Sequence, residues 1–496
     1  MPFEIREKGL KKYPHFDMPI PADELLSIVT DPEKVRRNAF FPFLQYTKQY
    51  QPFRDRPNKP DPKRRLIRYA SRRDAAIFSY YRYLLAERYE ARLVEFGIQD
   101  CPTAYRKIPK GQADTTGKCN IDFAHDVFEE IAKQKDCVVI TLDISKFFEC
   151  IDHHRLYQVW CELLGVDRLP PDHLAVFKAI TRYVVVDRGA VYERLGFIKE
   201  VSLDGESARK EYARPFHKMP KQLCSPQTFR QKIMGKDPSY ASLCEPNIND
   251  YGIPQGAPIS DLLANAYLME FDQAISDYSK SVSGKYWRYS DDIVLVLPVD
   301  DGQGLAARDF VIASIKEVGD QLTIKKNKTS IVRYSNVGDV DCQFELIEGG
   351  VGRNGLEYLG FRFDGKNIYI RDSTMSNFYR KITRRARKQA RQHFARFPGK
   401  TREWLLESFD FSDFEKRYGR VHDFESLATR TGWTFWTYVK RAADQFGEKG
   451  RRMYRQVRRY RSYIEFSVAK EIDRQLGLVG AAADPNTNSP SRSALP

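Results

Sequence analysis

The sequence predicts an α+β fold: an antiparallel sheet carrying carboxylates at its strand ends, followed by a basic helical region. Three observations predict it. Lys285-Tyr286-Trp287-Arg288 and Ile293-Val294-Leu295-Val296-Leu297 flank Tyr289-Ser290-Asp291-Asp292, so two adjacent acids separate an aromatic run from a β-branched and leucine run. This reads as a hairpin with both arms buried and the acids at its tip. Val138-Val139-Ile140-Thr141-Leu142 is a second strand-like run, and it ends in Asp143. From Ser373 onward, arginine and lysine recur at helical spacing.

Taken in chain order, residues 1 to about 60 are mixed and are broken by Pro52, Pro57, Pro60 and Pro62. Ala75 to Phe96 reads as one helix, dense in Tyr, Leu and Arg. The carboxylate of Asp143, placed after a buried strand, suits the capping of a turn as well as the holding of a ligand. Val184 to Asn249 contains Arg188-Gly189, Asp204-Gly205, Pro215, Pro220, Pro226 and Pro246, and it reads as a partly irregular insertion. Tyr251-Gly252-Ile253-Pro254-Gln255-Gly256-Ala257-Pro258-Ile259-Ser260 is a Gly/Pro loop that enters a helix at Asp261 to Leu268. Adjacent aspartates near a core call for a neutralising cation, and a divalent metal is the obvious partner. Alone, Asp291-Asp292 reads equally well as a solvated turn. Coincidence does not readily produce all three features in this order.

The ordered set is similar to the motifs of reverse transcriptases. Asp143 matches the first palm motif, Gly252-Ile253-Pro254-Gln255-Gly256 the second and Tyr289-Ser290-Asp291-Asp292 the third. Leu322 to Thr329 resembles the fourth motif, Glu357-Tyr358-Leu359-Gly360-Phe361 the primer-grip hairpin, and Ala104-Tyr105-Arg106-Lys107 the fingers motif that holds an incoming triphosphate. The likeness runs from about Arg65 to Phe363. Arg65 to Asp74, together with Ala104 to Lys107, most resembles bacterial reverse transcriptases of phage defence and abortive infection; retron and group II intron enzymes are more distant. The resemblance implies a right-hand polymerase. Its N-terminal region and fingers would span 1–136, its palm 137–370 with an insertion at about 184–249, its α-helical basic thumb 371–480 and a disordered tail 481–496.

Nucleotidyl transfer develops charge on an attacking 3′ oxygen and on a leaving pyrophosphate, which two metals about 3.5–4 Å apart stabilise. The resemblance implies two Mg2+ ions, with Mn2+ as an alternative, at a set comprising Asp143, Ile144, Asp291 and Asp292. Arg106 and Lys107 would pair with the triphosphate, where an arginine fork suits phosphate oxygens. Gln255 and Gly256 would shape the nucleotide pocket. Lys328 would donate a proton to pyrophosphate, with a solvated surface lysine as the competing reading. Phe148, five residues after Asp143, would lie beneath the incoming sugar and exclude a 2′-hydroxyl, while Phe147 fills the core. Tyr358, Leu359 and Gly360 would contact primer. Arg380, Arg384, Arg387 and Arg391 fall on one helical face and would meet phosphates, against the general reading of a solvated face.

Composition agrees. The 496 residues are 42% hydrophobic, enough for a large core and more than one subdomain, and the net charge of +15 suits a phosphate-backbone partner. The eight cysteines are scattered without a C-x-x-C pair, which points to free thiols in a reducing cytoplasm. No apolar run reaches membrane-spanning length, and the first residues do not read as a signal peptide, so a cytoplasmic protein is expected. The aromatic stretch Trp433, Phe435, Trp436 and Tyr438 and the arginines of Arg451 to Arg461 extend the basic helical region, their aromatics suiting a core as well as base stacking. No cysteine follows Cys342, which argues against a zinc-bearing endonuclease, and no carboxylate constellation for a ribonuclease H stands out. The expected partners are an RNA template or structured non-coding RNA, a DNA product and dNTPs, with a second copy or second protein component left open. An RNA-directed DNA polymerase is expected. A template-independent or protein-primed DNA polymerase, an RNA-dependent RNA polymerase and a non-catalytic RNA-binding scaffold are the alternatives.

Overall fold

A computed structural model of the protein describes residues 3–50, 63–111, 117–201, 209–215, 218–350, 354–418 and 434–477. The 481–496 tail and Trp433 lie outside them. The fold mixes helices with antiparallel sheets, as the patterning predicts. Its strands are β1 (Phe43–Tyr50), β2 (Lys63–Tyr69), β3 (Cys137–Asp143), β4 (Val184–Asp187), β5 (Ile198–Val201), β6 (Arg209–Tyr212), β7 (Glu245–Pro246), β8 (Lys285–Tyr289), β9 (Asp292–Leu297), β10 (Ser330–Ser335), β11 (Gln343–Gly349), β12 (Leu356–Tyr358), β13 (Phe361–Phe363) and β14 (Ile368–Ile370).

The chain divides into two compact units. One comprises 1–117, 136–335 and 345–352, and the other 118–135, 336–344 and the residues from 353 on. In the first unit a five-stranded sheet runs β11-β10-β3-β9-β8. Strands β3 and β9 pair antiparallel at its centre, and Val138, Val139, Ile140 and Val294 to Leu297 are wholly buried, which explains the unbroken apolar runs. The helix Asp301–Glu317 approaches β3 so closely that a Cβ on Gly304 would lie 2.7 Å from Val138 Cγ1. The helix predicted over Ala75–Phe96 is Arg72–Glu95, capped by the Ser71 hydroxyl accepting from the Asp74 N–H at 3.1 Å.

A second sheet, β2-β1-β4-β7, revises the reading of 184–249 as an insertion. Strand β4 pairs parallel to β1, and Val186, Val191, Tyr192, Phe197, Phe229 and Ile233 form a core with Phe16 and Leu44. The segment is therefore built into the N-terminal sheet. Its turn residues obscured that in the sequence, because they punctuate short elements whose partners lie far away.

In the second unit β12-β13-β14 form a small sheet, with Phe363 against Phe128 (ring centroids 5.3 Å apart) and Phe361 against Phe446 (5.0 Å). Those contacts join 118–135 and 354–370 to the C-terminal helices in one compact unit, so a division falls at 135/136 and another at 352/353 rather than at 370. Trp436, Val439, Ala442 and Phe446 line the buried side of the helix Phe435–Phe446, so Trp436 belongs to the core. The eight cysteines are free, and among the described residues no helix is long and apolar enough to cross a membrane.

Candidate active site

Pairing of β3 with β9 places Asp143 directly opposite Asp292, although the two lie far apart in sequence. Asp291 occupies the two-residue turn that Tyr289 and Asp292 close, and Ser290 before it has φ +61°. A positive φ at the first loop residue is what a primed hairpin turn demands, and small serine meets that demand with little crowding. The tip is tied to the strand beside it by Ile144 N–H donating to Asp291 O at 2.9 Å. Asp143 is buried, Asp291 half-buried and Asp292 exposed.

Burial, followed by the like charge of Asp143, holds the Asp291 carboxyl above its ordinary pKa, with Lys325 and Lys328 acting the other way. Both ammonium groups pair with Asp143, Lys325 Nζ with Oδ1 and Lys328 Nζ with Oδ2. Lys325 Nζ also donates to the Ile144 carbonyl at 3.4 Å. One cation is thus seated on the Asp143 carboxylate and the Ile144 main chain, two of the oxygens expected of a metal set. The Ile144 side chain is wholly buried, so its carbonyl is the group it can offer. This donor set of hard oxygens fits a divalent cation. Among the described residues no three His, Cys, Asp or Glu side chains already form a metal-holding group. Lys328 lies at the Asp143 carboxylate, and Lys325 beside it was not singled out in the sequence.

The loop 252–260 closes on the same region. Ile253 N–H donates to Phe148 O at 2.8 Å, and Gly252 N–H to Ile151 O at 2.7 Å. Gly256 has φ +120°, and a Cβ there would lie 2.3 Å from Arg68 O, so β2 and the loop touch backbone to backbone. Gln255 holds that contact by accepting from Arg68 N–H at 3.2 Å and is itself exposed. Phe147 is in the core while Phe148 is half-buried against it, with ring centroids 5.7 Å apart.

Arg106 corrects the expectation. Its Nε and Nη2 bind Glu90 at 2.8 and 2.6 Å, and Nη1 donates to Gln99 O and Pro102 O at 2.6 Å each. With all three guanidinium nitrogens engaged in four hydrogen bonds and the side chain 6% exposed, it anchors its own segment and does not present its fork to a phosphate. Lys107 is exposed. Tyr105, passed over in the sequence, has its hydroxyl 3.3 Å from Ser290 Oγ.

Beneath the turn lies a second overlooked group. Arg288 is fully buried, with Nε and Nη2 on Asp272 at 2.7 and 2.6 Å and Nη1 donating to Ser290 O at 3.0 Å. Asp272 also accepts from Tyr286 OH at 2.7 Å. An arginine between the aromatic residues of the strand Lys285–Tyr289 was the available signal.

In the second unit, Leu359 (φ +44°) and Gly360 (φ +95°) turn β12 into β13. Asn120 Nδ2 donates to Leu359 O at 3.2 Å and Arg371 N–H to Gly360 O at 2.9 Å, while Tyr358 is buried. Tyr358 therefore packs inward and is not available as a primer contact. On the helix Asp372–Arg396, the buried positions Met375, Phe378, Ile382, Ala386 and Ala390 lie opposite Arg380, Arg384, Arg387 and Arg391. Arg384 and Arg387 are exposed, but Arg391 Nε binds the buried Glu471 at 2.9 Å, so that arginine also serves the fold.

No family model and no curated protein matches the chain. Among solved structures it is similar to apo telomerase from Candida tropicalis, with TM-score 0.36 and 11% identity over 86% of this chain and 69% of that one. It is similar also to telomerase from Candida albicans in complex with a TWJ fragment of telomeric RNA (TM-score 0.36, 10% identity, 92% and 66% covered). A third is the Sicinivirus 3Dpol RNA-dependent RNA polymerase (TM-score 0.37, 12% identity, 86% and 72% covered). The residues of the site, rather than these likenesses, carry the functional reading.

Proposed function

We propose that the protein is an RNA-directed DNA polymerase that adds dNTPs by metal-assisted nucleotidyl transfer. One observation carries the reading: Asp143 and Asp291–Asp292, from separate strands, meet at one end of a buried sheet with two lysines drawn to them. Like charges gathered at a sheet end cost stability unless cations neutralise them; the two lysines supply part of that neutralisation, and a bound divalent cation would supply the rest. Asp143, the Ile144 carbonyl and Asp291 would hold Mg2+, with Asp292 in support; when bound, the ions would supply charge neutralisation at the reacting phosphate and the leaving pyrophosphate. The protein's own part is to hold the carboxylates in register, to shape the nucleotide seat with Gly256 and Gln255, and to place Lys328 where it can pass a proton to pyrophosphate. In this reading the first unit carries fingers and palm, the second the thumb, and RNA is the template or the bound partner. The likeness of Arg65–Asp74 and Ala104–Lys107 to defence-associated enzymes extends the proposal to phage defence with an associated non-coding RNA.

The test is incorporation of dNTPs and rNTPs side by side on primed RNA with Mg2+. Preference for dNTPs is expected; preference for rNTPs would make it an RNA polymerase, and products without template would make it template-independent. Phe148 supports DNA synthesis because it sits half-exposed beside a core phenylalanine. Phe148→Val opens space for a 2′-hydroxyl, so the dNTP over rNTP preference is expected to fall by roughly ten- to hundredfold while dNTP use falls modestly. An unchanged ratio would assign Phe148 to the core.

The basic helix gives a separate test. In Arg384→Gln/Arg387→Gln, RNA affinity is expected to weaken alike for all sequences, and the slope of log K against log salt to drop by roughly 0.7–0.9 per lost contact. Arg391 is left intact because it also binds the buried Glu471. An unchanged slope would make this a solvated face.

A further inference from the structure

Tyr105 is held in an unusual way for an exposed aromatic residue. Its φ is +63°, a region that residues with a side chain seldom occupy. The backbone around it is pinned from several elements: Ala104 O accepts from Asn265 Nδ2 at 2.8 Å, and Tyr105 O accepts from Arg82 Nη2 at 2.9 Å. Arg82 is in turn fixed by Asp261, Nε to Oδ1 at 2.9 Å, and Arg106 is locked onto Glu90. Such strain persists only where the surroundings over-determine it, and it gathers at ligand-binding and catalytic sites. What this scaffold presents is a phenol ring that stays 44% exposed while its hydroxyl reaches the buried Ser290 at 3.3 Å, one residue before Asp291. Burial is the main cause that raises the phenol's pKa, the bond to Ser290 opposes it, and the charges of Asp291, Asp261 and Arg65 are all felt at the hydroxyl. The ring therefore stands beside the catalytic turn, on a segment tied through Arg82 to Asp261 at the N-terminus of the helix Ser260–Tyr267.

We propose that Tyr105 is the nucleotide-contacting residue of its segment, its ring a stacking surface for the base of the incoming dNTP and its hydroxyl the tether that fixes that ring to the catalytic turn. Every base has a π face, so the contact is independent of base identity. The proposal deepens the polymerase reading and rests on it. It also reassigns the segment, because Arg106 faces inward.

The experiment measures single-nucleotide addition with each of the four dNTPs for wild type, Tyr105→Leu and Tyr105→Phe, together with dNTP binding by calorimetry and melting temperature. Tyr105→Leu keeps apolar bulk but loses the π face, so KM and the dissociation constant are expected to rise by roughly five- to hundredfold for all four dNTPs. Its kcat and Mg2+ dependence stay close to wild type. Tyr105→Phe retains the ring and is expected to shift KM by only a fewfold. Should Tyr105→Leu fail to fold, Tyr105→Asn, which tolerates the positive φ, takes its place. A KM within twofold of wild type, or a loss confined to kcat, overturns the proposal. If wild type binds dNTPs through Tyr105 yet adds none to a primer, the polymerase reading falls and this contact stands; if wild type binds no dNTP, both fall.

Discussion

Replacing Asp143 or Asp291 with Asn is expected to lower nucleotide incorporation by roughly a thousandfold or more while leaving folding and RNA binding close to wild type. Asn keeps the size of the side chain and some of its hydrogen bonding but removes the charge on which a metal-assisted transfer depends. The reason lies in the pairing of β3 with β9: the two carboxylates share one sheet end, the charge of Asp143 raises the cost of ionising Asp291, and Asp143 pairs with Lys325 and Lys328. Steady-state and single-turnover addition of a labelled dNTP, with melting curves alongside, would check this. Activity within about tenfold of wild type in either variant would remove the carboxylates from the chemistry. Loss of activity together with loss of folding would be read from the melting curves as a structural effect.

The second large effect is expected at Arg288. Arg288 and Asp272 are both fully buried, joined by two hydrogen bonds, and Tyr286 completes the cluster. Arg288→Met strands the Asp272 carboxylate in the core, which costs about 3–5 kcal/mol. It also removes the donor to Ser290 O that braces the turn carrying Asp291. The double variant Arg288→Met/Asp272→Leu removes both charges and is expected to recover most of the stability, since apolar replacement of a buried pair is often neutral or better. Incorporation should stay impaired in the double variant, because the brace is still missing. Thermal melts separate the two effects. A single variant that melts like wild type would mean that Asp272 finds another partner, and full activity in the double variant would mean that the turn holds its shape without Arg288.

The sequence exposed the elements whose signals are local. The hairpin around Asp291, the strand ending in Asp143 and the loop leading into the helix at Ser260 were all legible, because β-branched runs, adjacent acids and Gly/Pro clusters mark turns and buried strands within a few residues. Phe147 lies in the core, and Phe148 is half-buried against it.

Orientation was less legible. Arg106 looked like a phosphate ligand because arginine suits phosphate, yet Glu90, one helix away, takes its fork. Tyr358 looked like a surface contact and is buried, and Arg391 looked like one member of a free stripe and holds Glu471. The segment 184–249 looked like an addition to the fold and supplies two strands of a sheet.

By itself the sequence determined the α+β class, the order of the motifs and the placing of acids at strand ends, since each rests on residue type and short-range spacing. Tertiary structure alone decided that Asp143 meets Asp292 and that two lysines sit on it. It also decided that Tyr105 faces the turn while Arg106 faces the core. The physical reason is that a side chain's role depends on which partner reaches it first in space. Strand pairing and helix packing set that across long sequence separations, where no local pattern records the partner's identity.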